Sequence, residues 1–391
     1  MNFAARAAEL SGWMVDVRRD LHRNPELSFR EERTGGIVAA FLEEWGYRVR
    51  RVGGTGVHGF LEGTPGAPVI AIRADMDALP VQENTGLEFA STCPGIMHAC
   101  GHDIHAACAL GAARMLAEAK KDGSFAGGVV MLFQPAEEIN KGAEAILRDG
   151  ALADPPAAMI FGLHNHPAYP ARSVVLKEGP LMAAVDTLKV RILGVGSHGA
   201  IPHRSADPVV AAASVVMNLQ TIVSRNVDPL EAAVISFGTV HGGVANNVIP
   251  EDVELTGTVR SFRPEVRDAL HARIETVAAS VATGLGCRAE VNIRRDLPAV
   301  TNDAISYACC FRAASDVVGA GGIIQATPSM GGEDFALYQN RIPGCLFWLG
   351  VGNEGIGAVH PWHSPKFVAD ESAIPVGAAV LAQSVVVATN G

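Results

Sequence analysis

The run His98-Ala-Cys-Gly-His-Asp-Ile-His105 places three imidazoles and a thiol close together, and further candidates follow at Glu137-Glu138, His164-Asn-His166 and His363. Imidazole, thiolate and carboxylate are the side chains that bind divalent transition metals. Two adjacent glutamates allow one to ligate while its neighbour handles a proton. A structural zinc finger would join a CxxC pair to an HxxxH pair, and a zincin would carry HExxH on a helix. His98 and His102 have the HxxxH spacing, but the chain contains neither CxxC nor HExxH. What remains is a catalytic centre assembled from several loops. Two metals about 3.5 to 4 Å apart need a bridging ligand, and a deprotonated Cys100 can supply it, with His102 on one metal.

These groups need elements to aim them. Glu137 and Glu138 follow the apolar run Val129–Phe133 and the Pro135 turn, at the mouth of a buried strand. Asp75 and Asp77 follow another run, Val69–Ala74; they read either as turn or cap aspartates or as carboxylates that orient a metal-bound histidine from behind. From Val69 to Leu163 β-rich runs alternate with helical patterns, the mark of an α/β layer with a mostly parallel sheet, in which chemistry gathers at the carboxyl ends of strands. Between Ala184 and Arg295 the order becomes β-α-β-β-α-β, a ferredoxin-like α+β unit, with Asp207-Pro208 and Pro264 opening its helices. The expected organisation is a catalytic domain at 1–183 and 296–391 interrupted by an inserted domain at 184–295.

Composition narrows the function. A chain of 391 residues exceeds the size at which a single core stops growing. Its net charge of −10 disfavours nucleic acid and anionic membranes as partners. The N-terminus reads as an amphipathic helix and not a signal peptide, and apolar runs such as Val376 to Ala388 read as too short or interrupted to cross a bilayer. Seven irregularly spaced cysteines fit a reducing cytoplasm better than a disulfide framework. His22, His58, His241 and His271 stand alone and read as structural or surface residues.

RADMDALP, MHACGHDIHAACALGAA, FQPAEE, GLHNHP, GSHGAIPH, NNVIPE, MGGEDFALY and HSPKF, in that order, closely resemble the motifs of the hippurate hydrolase, auxin-conjugate hydrolase and aminoacylase family of dinuclear metallopeptidases. The resemblance implies that Cys100 bridges two divalent ions (Mn, Zn, Co or Ni), with His102, Glu138, His164 and His363 as the other protein ligands and Glu137 as general base. It makes the inserted domain a lid, on which His198 stabilises an oxyanion in the neighbouring subunit of a homodimer or higher homo-oligomer. Asn247 and Arg260 would bind the substrate's carboxylate. His166 stands where relatives often have tryptophan and Gly332 where many have serine; both would border the acyl pocket. The implied reaction is hydrolysis of an N-acyl amino acid by a metal-bridging water that Glu137 deprotonates. A dipeptidase or carboxypeptidase on the same scaffold is the alternative. A cysteine hydrolase built on Cys100 leaves the glutamate pair and His363 without roles, and a silent metal-binding protein has no use for Glu137 beside Glu138.

Overall fold

The chain opens with α1 (Phe3–Arg23), started by the Asn2 side chain, which accepts the Ala5 N–H, and buried along Leu10, Met14, Val17 and Leu21. The computed structural model describes residues 1–390. There follow α2 (Glu32–Glu44), β1 (Arg48–Val52), β2 (Gly56–Leu61), β3 (Val69–Asp75), α3 (His102–Lys121), β4 (Gly128–Gln134), α4 (Gly142–Arg148), β5 (Met159–Pro170), β6 (Val174–Leu176) and β7 (Gly179–Met182). Next come β8 (Ala184–Leu193), β9 (Ser197–His198), α5 (Pro208–Arg225), β10 (Ala233–Gly242), β11 (Val248–Ile249), β12 (Asp252–Ser261), α6 (Pro264–Gly284) and β13 (Arg288–Leu297). The chain closes with β14 (Val300–Asn302), α7 (Ala304–Val318), β15 (Ile323–Gln325), α8 (Ala336–Gln339), β16 (Gly344–Gly352) and α9 (Ile374–Asn390).

Two units emerge: Met1–Leu181 with Thr301–Thr327 and Asp334–Gly391, and Met182–Val300 with Pro328–Glu333. In the first, the sheet runs β1-β2-β4-β3-β5-β16-β6-β15. Its centre, β4-β3-β5-β16, is parallel, so the carboxyl ends of these strands open on one edge. The β1-β2, β2-β4 and β16-β6 pairings are antiparallel. Strands β2 and β4 are buried along their whole length, as strands of a sheet covered on both faces must be.

Helix α3 packs against both α1 and α9. Its alanines 106, 107, 109, 112, 113 and 117 are buried, and small side chains let helix axes approach closely. The reading of Val376–Ala388 as too short for a membrane span needs correction: Glu371–Asn390 is 20 residues long and apolar enough to cross one. The physical reason for its composition is burial. Helix α9 packs on α1, α3 and α7, and a helix surrounded by protein is apolar all round.

The second unit is a four-stranded antiparallel sheet in the order β10-β12-β8-β13, with α5 and α6 packed against it. This is the β-α-β-β-α-β pattern read in the sequence. Asp207 caps α5 by accepting from Val209 and Val210 N–H, ahead of proline at the first helical position. Strand β8 alternates buried Leu188, Val190 and Ile192 with outward Lys189 and Arg191. At its start Asp186 is buried in a charged pair with Arg267 of α6, and His271 Nε2 lies 2.6 Å from the same carboxylate.

A Cβ at Gly111 of α3 would lie 2.3 Å from Met14 Sδ and 2.9 Å from Ala378 Cβ, where three helices meet. Gly111→Val should therefore destabilise the first unit by about 1–3 kcal/mol. Urea unfolding followed by tryptophan fluorescence checks this; an unchanged midpoint would mean that Met14 yields without cost.

Candidate metal centre

The candidate groups of the first unit gather at the carboxyl ends of β3, β4 and β5. Asp75 ends β3 directly opposite Gln134, the last residue of β4, and His164 lies on β5. Helix α3 begins at His102 after Gly101, whose φ of +85° and close approach require glycine: a Cβ there would lie 2.3 Å from Asn165 Nδ2. Cys100 and His102 thus flank a turn that no other residue makes easily. Two more site residues have left-handed neighbours or backbones of their own. Ala136, before Glu137, has φ +53°, and His363 has φ +63°.

Five sets of three ligand-type side chains converge among the described residues, and two of these triads share one sulfur. Cys100, His102 and His164 present one within 4.8 Å of one another; so do Cys100, Glu138 and His363. Cys100 Sγ is 3.5 Å from His164 Nε2, and His363 Nε2 is 3.4 Å from Glu138 Oε2. Glu137 Oε2 stands 4.0 Å from His102 Nε2. His102 Nε2 and Glu138 Oε1 are buried with no hydrogen-bond partner among the described residues. Buried polar atoms left unpaired are costly, and convergent N, O and S donors are what divalent cations take, so the site fits a pair of such ions.

Behind the donors lies a layer that sets their orientation. Asp77, 1% exposed, has Oδ1 3.3 Å from His102 Nδ1, which leaves Nε2 facing the centre. The same carboxylate accepts the Glu137 and Glu138 N–H groups, both at 3.1 Å, and the Ser28 hydroxyl at 2.7 Å. Asp75 faces another ring: its Oδ1 is 2.5 Å from His105 Nδ1. His105 Nε2 accepts from Asn165 N–H at 2.8 Å, so both its nitrogens are occupied and it is not a free donor. Arg73, fully buried, donates to Asp75, Gln134 and Asp334. Asn165 Nδ2 donates to Cys100 O at 2.6 Å, and His363 N–H to Ala99 O at 2.9 Å, which ties three separated loops together.

These surroundings shift protonation strongly. Burial, then the Glu138 charge, pushes the Cys100 thiol well up. Burial opposes charging of His102, but Asp75 and Asp77 outweigh it and raise the ring above its ordinary value. Burial raises Glu138 to about 7, aided by Asp77 and Asp75 and opposed by His102. Without cations, protons take the place of metal charge.

His98, part of the HxxxH spacing, is buried with both ring nitrogens unpartnered among the described residues, and burial lowers it to about 4. It belongs to neither triad. His166 sits among the rings of Trp362, Trp348 and Tyr169 at 4.4 to 4.7 Å. His105, Arg73, Asn165, Ser28 and Asp334 received no role from the sequence. His105 has a legible signal, since it lies one helical turn after His102; Arg73, Asn165 and Asp334 lie within quoted motifs, and Ser28 lies in none.

The remaining candidates lie in the second unit. His198 pairs with Val248 in the short β9-β11 ladder, beside Asn247, whose carbonyl accepts the Gly199 N–H. Arg260 on β12 pairs with Val185. A Cβ at Gly332 would lie 2.3 Å from Val185 Cγ2 and 3.5 Å from Arg260 Nη1, so the serine of many relatives fits only if Val185 moves.

Known proteins resemble the chain over most of its length. The profile of Peptidase family M20/M25/M40 matches residues 71–386. The chain is 43% identical over 378 residues to N-acetylcysteine deacetylase of Bacillus subtilis (strain 168), covering 96% of each protein. It is 39% identical over 381 residues to IAA-amino acid hydrolase ILR1-like 4 of Arabidopsis thaliana, covering 96% of this chain and 86% of that one. The crystal structure of the Bacillus subtilis YXEP protein, described as a dinuclear metal-binding peptidase of the M20 family, superposes with a TM-score of 0.86 at 38% identity, covering 98% of this chain and 99% of that one.

Glu138 gives the metal-free protein a pH signature. Its carboxyl is raised in the folded chain to about 7 from an ordinary 4.5, so the stabilisation is complete below about 4.5 and lost as pH rises through about 7. The raised His102 acts in the same direction. Burial lowers His58, His98, His164 and His166, which act the opposite way, so the comparison is with chelated Glu138→Gln: chelated wild type should lose stability relative to that variant as pH rises from about 5 to 8. Metal-loaded protein should show the reverse or no loss, because ligation requires deprotonated groups. Parallel pH series of thermal unfolding, with and without added metal, would sink this account if they coincided.

Proposed function

The chain belongs to peptidase family M20/M25/M40 and is a metal-dependent hydrolase of amides, and we propose that it cleaves N-acyl amino acids to a carboxylate and a free amino acid. The observation that carries this reading is the pair of donor triads sharing Cys100, with Glu137 standing beside them. Cys100, His102 and His164 would hold one divalent ion, and Cys100, Glu138 and His363 the other. The donor set admits Mn, Zn, Co or Ni. Two ions bound there would polarise the scissile carbonyl and acidify water.

Glu137 takes a proton from the attacking water and delivers it to the leaving amine nitrogen. Its neighbour Glu138 is engaged with His363 and His102, which divides the work between the adjacent carboxylates. His198 is exposed, and its Nδ1 accepts the Ala200 N–H at 3.0 Å, so its proton sits on Nε2 and is available to an oxyanion. Burial depresses Arg260 below its ordinary value. A substrate carboxylate bound to its guanidinium fork would offset that cost, and Asn247 would add a hydrogen bond. Free α-carboxylates are therefore favoured over chains extended at that end.

His198 would serve a neighbouring subunit. Support for a homodimer through the second unit comes from exposed Val209, Val210 and Met217 on α5, and from β10, an edge strand with exposed residues. Seven cysteines, odd in number and irregularly spaced, favour a reducing compartment such as the cytoplasm.

Glu137→Gln should abolish hydrolysis of N-acetyl amino acids while metal content stays near wild type; Glu138→Gln should lose metal. Elemental analysis beside turnover reads both, and equal metal loss would refute the division of labour. A dipeptide cleaved faster than every acetyl-, benzoyl- or longer acyl-amino acid tested would favour a dipeptidase instead.

Shared sites predict complementation. His198→Ala and Glu137→Gln should each lose about a hundredfold or more. Random exchange of subunits makes half the dimers mixed, each with one intact site, so about a quarter of wild-type activity should return. Exchange seen by mass measurement without recovered activity would exclude His198 acting in trans.

A further inference from the structure

Three consecutive backbone N–H groups, those of Ala136, Glu137 and Glu138, end on buried carboxylates, yet not on the same one. Asp77 receives the second and third. The Ala136 N–H goes to Glu31 Oε1 at 2.9 Å, across 105 positions of sequence. Glu31 is fully buried just before α2. Its Oε1 also accepts the Phe29 N–H at 3.1 Å, and its Oε2 accepts the Thr55 hydroxyl at 2.5 Å. No reacting group of the centre touches it in these bonds.

What Glu31 holds is an unfavourable backbone. Ala136 has φ +53°, a left-handed conformation that its Cβ disfavours by a factor of about five to thirty. The Ala136 carbonyl accepts from Lys141 and Gly142 N–H, so the α4 end fixes the other side of the same residue. This conformation lets successive N–H groups converge on anions, as in a backbone nest. It also sets where the chain leaves toward Glu137. Asp77 holds the Glu137 and Glu138 N–H groups, so what depends on the Glu31 carboxylate is the Ala136 φ and with it the direction in which the chain enters Glu137.

We infer that Glu31 is a positioning residue for Glu137, acting by locking Ala136 in the left-handed conformation. The inference rests on the reading of Glu137 as the base. It assigns the N-terminal segment a part in catalysis: Ser28 steadies Asp77, and Glu31 steadies the peptide that precedes the base.

The test compares Glu31→Ala, Glu31→Gln and Glu31→Ala/Ala136→Gly in kcat, KM and metal content on an N-acetyl amino acid, with a crystal structure of Glu31→Ala. Glu31→Ala should keep metal content and KM while kcat falls by about five to thirtyfold or more. Glu31→Gln should recover most of it, because its amide oxygen accepts the Ala136 N–H and its NH2 reaches Thr55. Ala136→Gly in the Glu31→Ala background should also restore kcat, because glycine adopts positive φ without the Cβ penalty. That rescue separates positioning from plain stability, since glycine replaces none of the bonds to Phe29 or Thr55. Should Glu31→Ala not fold, Glu31→Asp, whose carboxylate is one methylene short of Ala136, takes its place with the same rescue. Undiminished kcat, or a loss that neither rescue relieves, overturns the inference. If the wild-type enzyme cleaves no N-acyl amino acid, the functional reading fails instead. The crystal structure then decides this one: Ala136 still left-handed without Glu31 refutes it.

Discussion

The carboxylate of Asp77 is the constraint on which the centre depends. A charge buried to this degree costs several kcal/mol unless it is paired or fully hydrogen-bonded. Asp77 meets that demand with four groups from three parts of the chain: the His102 ring at the start of α3, the Glu137 and Glu138 peptides after β4, and the Ser28 hydroxyl. Satisfying one anion therefore places a metal-type nitrogen, the proposed base and a carboxylate donor relative to one another. Burial would raise Asp77, but the His102 hydrogen bond and charge and the Ser28 hydroxyl outweigh it and hold the carboxyl below its ordinary value.

Around that anchor the charges are layered. Arg73, buried among Asp75, Asp334 and Gln134, is the fixed cation of the interior. Asp75, held charged against its burial by Arg73 and the two histidines His102 and His105, passes that order to His105, which in turn holds the Asn165 backbone beside His164. The front of the site is left underpaired: His102 Nε2 and Glu138 Oε1 face each other without hydrogen bonds. A satisfied rear and an unsatisfied front are what a metal site needs, because donors must be oriented before the cation arrives and cannot be consumed by one another.

The scaffold supports this by ordinary means. Parallel strands end together, so Asp75 and Gln134 come level, and α3 starts where Gly101 turns the chain back. Alanine-rich α3 then lies close on α1 and α9, and its first turn, His102 to His105, is buried. Left-handed φ values at Ala136 and His363 mark where the fold holds non-glycine residues in costly conformations.

Much of this was legible without coordinates. Residue type and spacing announced a dispersed metal centre, period-two and helical patterns announced a parallel α/β layer and a β-α-β-β-α-β unit, and the motif order announced the family. These signals are local: a ligand must be His, Cys, Asp or Glu, and a strand or helix imposes its period on neighbouring residues. The apolar C-terminal helix misled a length argument because composition cannot say whether protein or lipid surrounds it. Nor could the sequence separate Asp77, which serves His102 and the glutamate peptides, from Asp75, which serves His105 and Arg73. Glu31 carries no motif of metal chemistry, and its partner Ala136 is a residue without a functional group. The Glu31 bond to the Ala136 backbone spans 105 positions, which leaves no spacing to read. Residue identities determined which chemistry is available; only the folded backbone decided which carboxylate faces which ring, and which one faces a peptide.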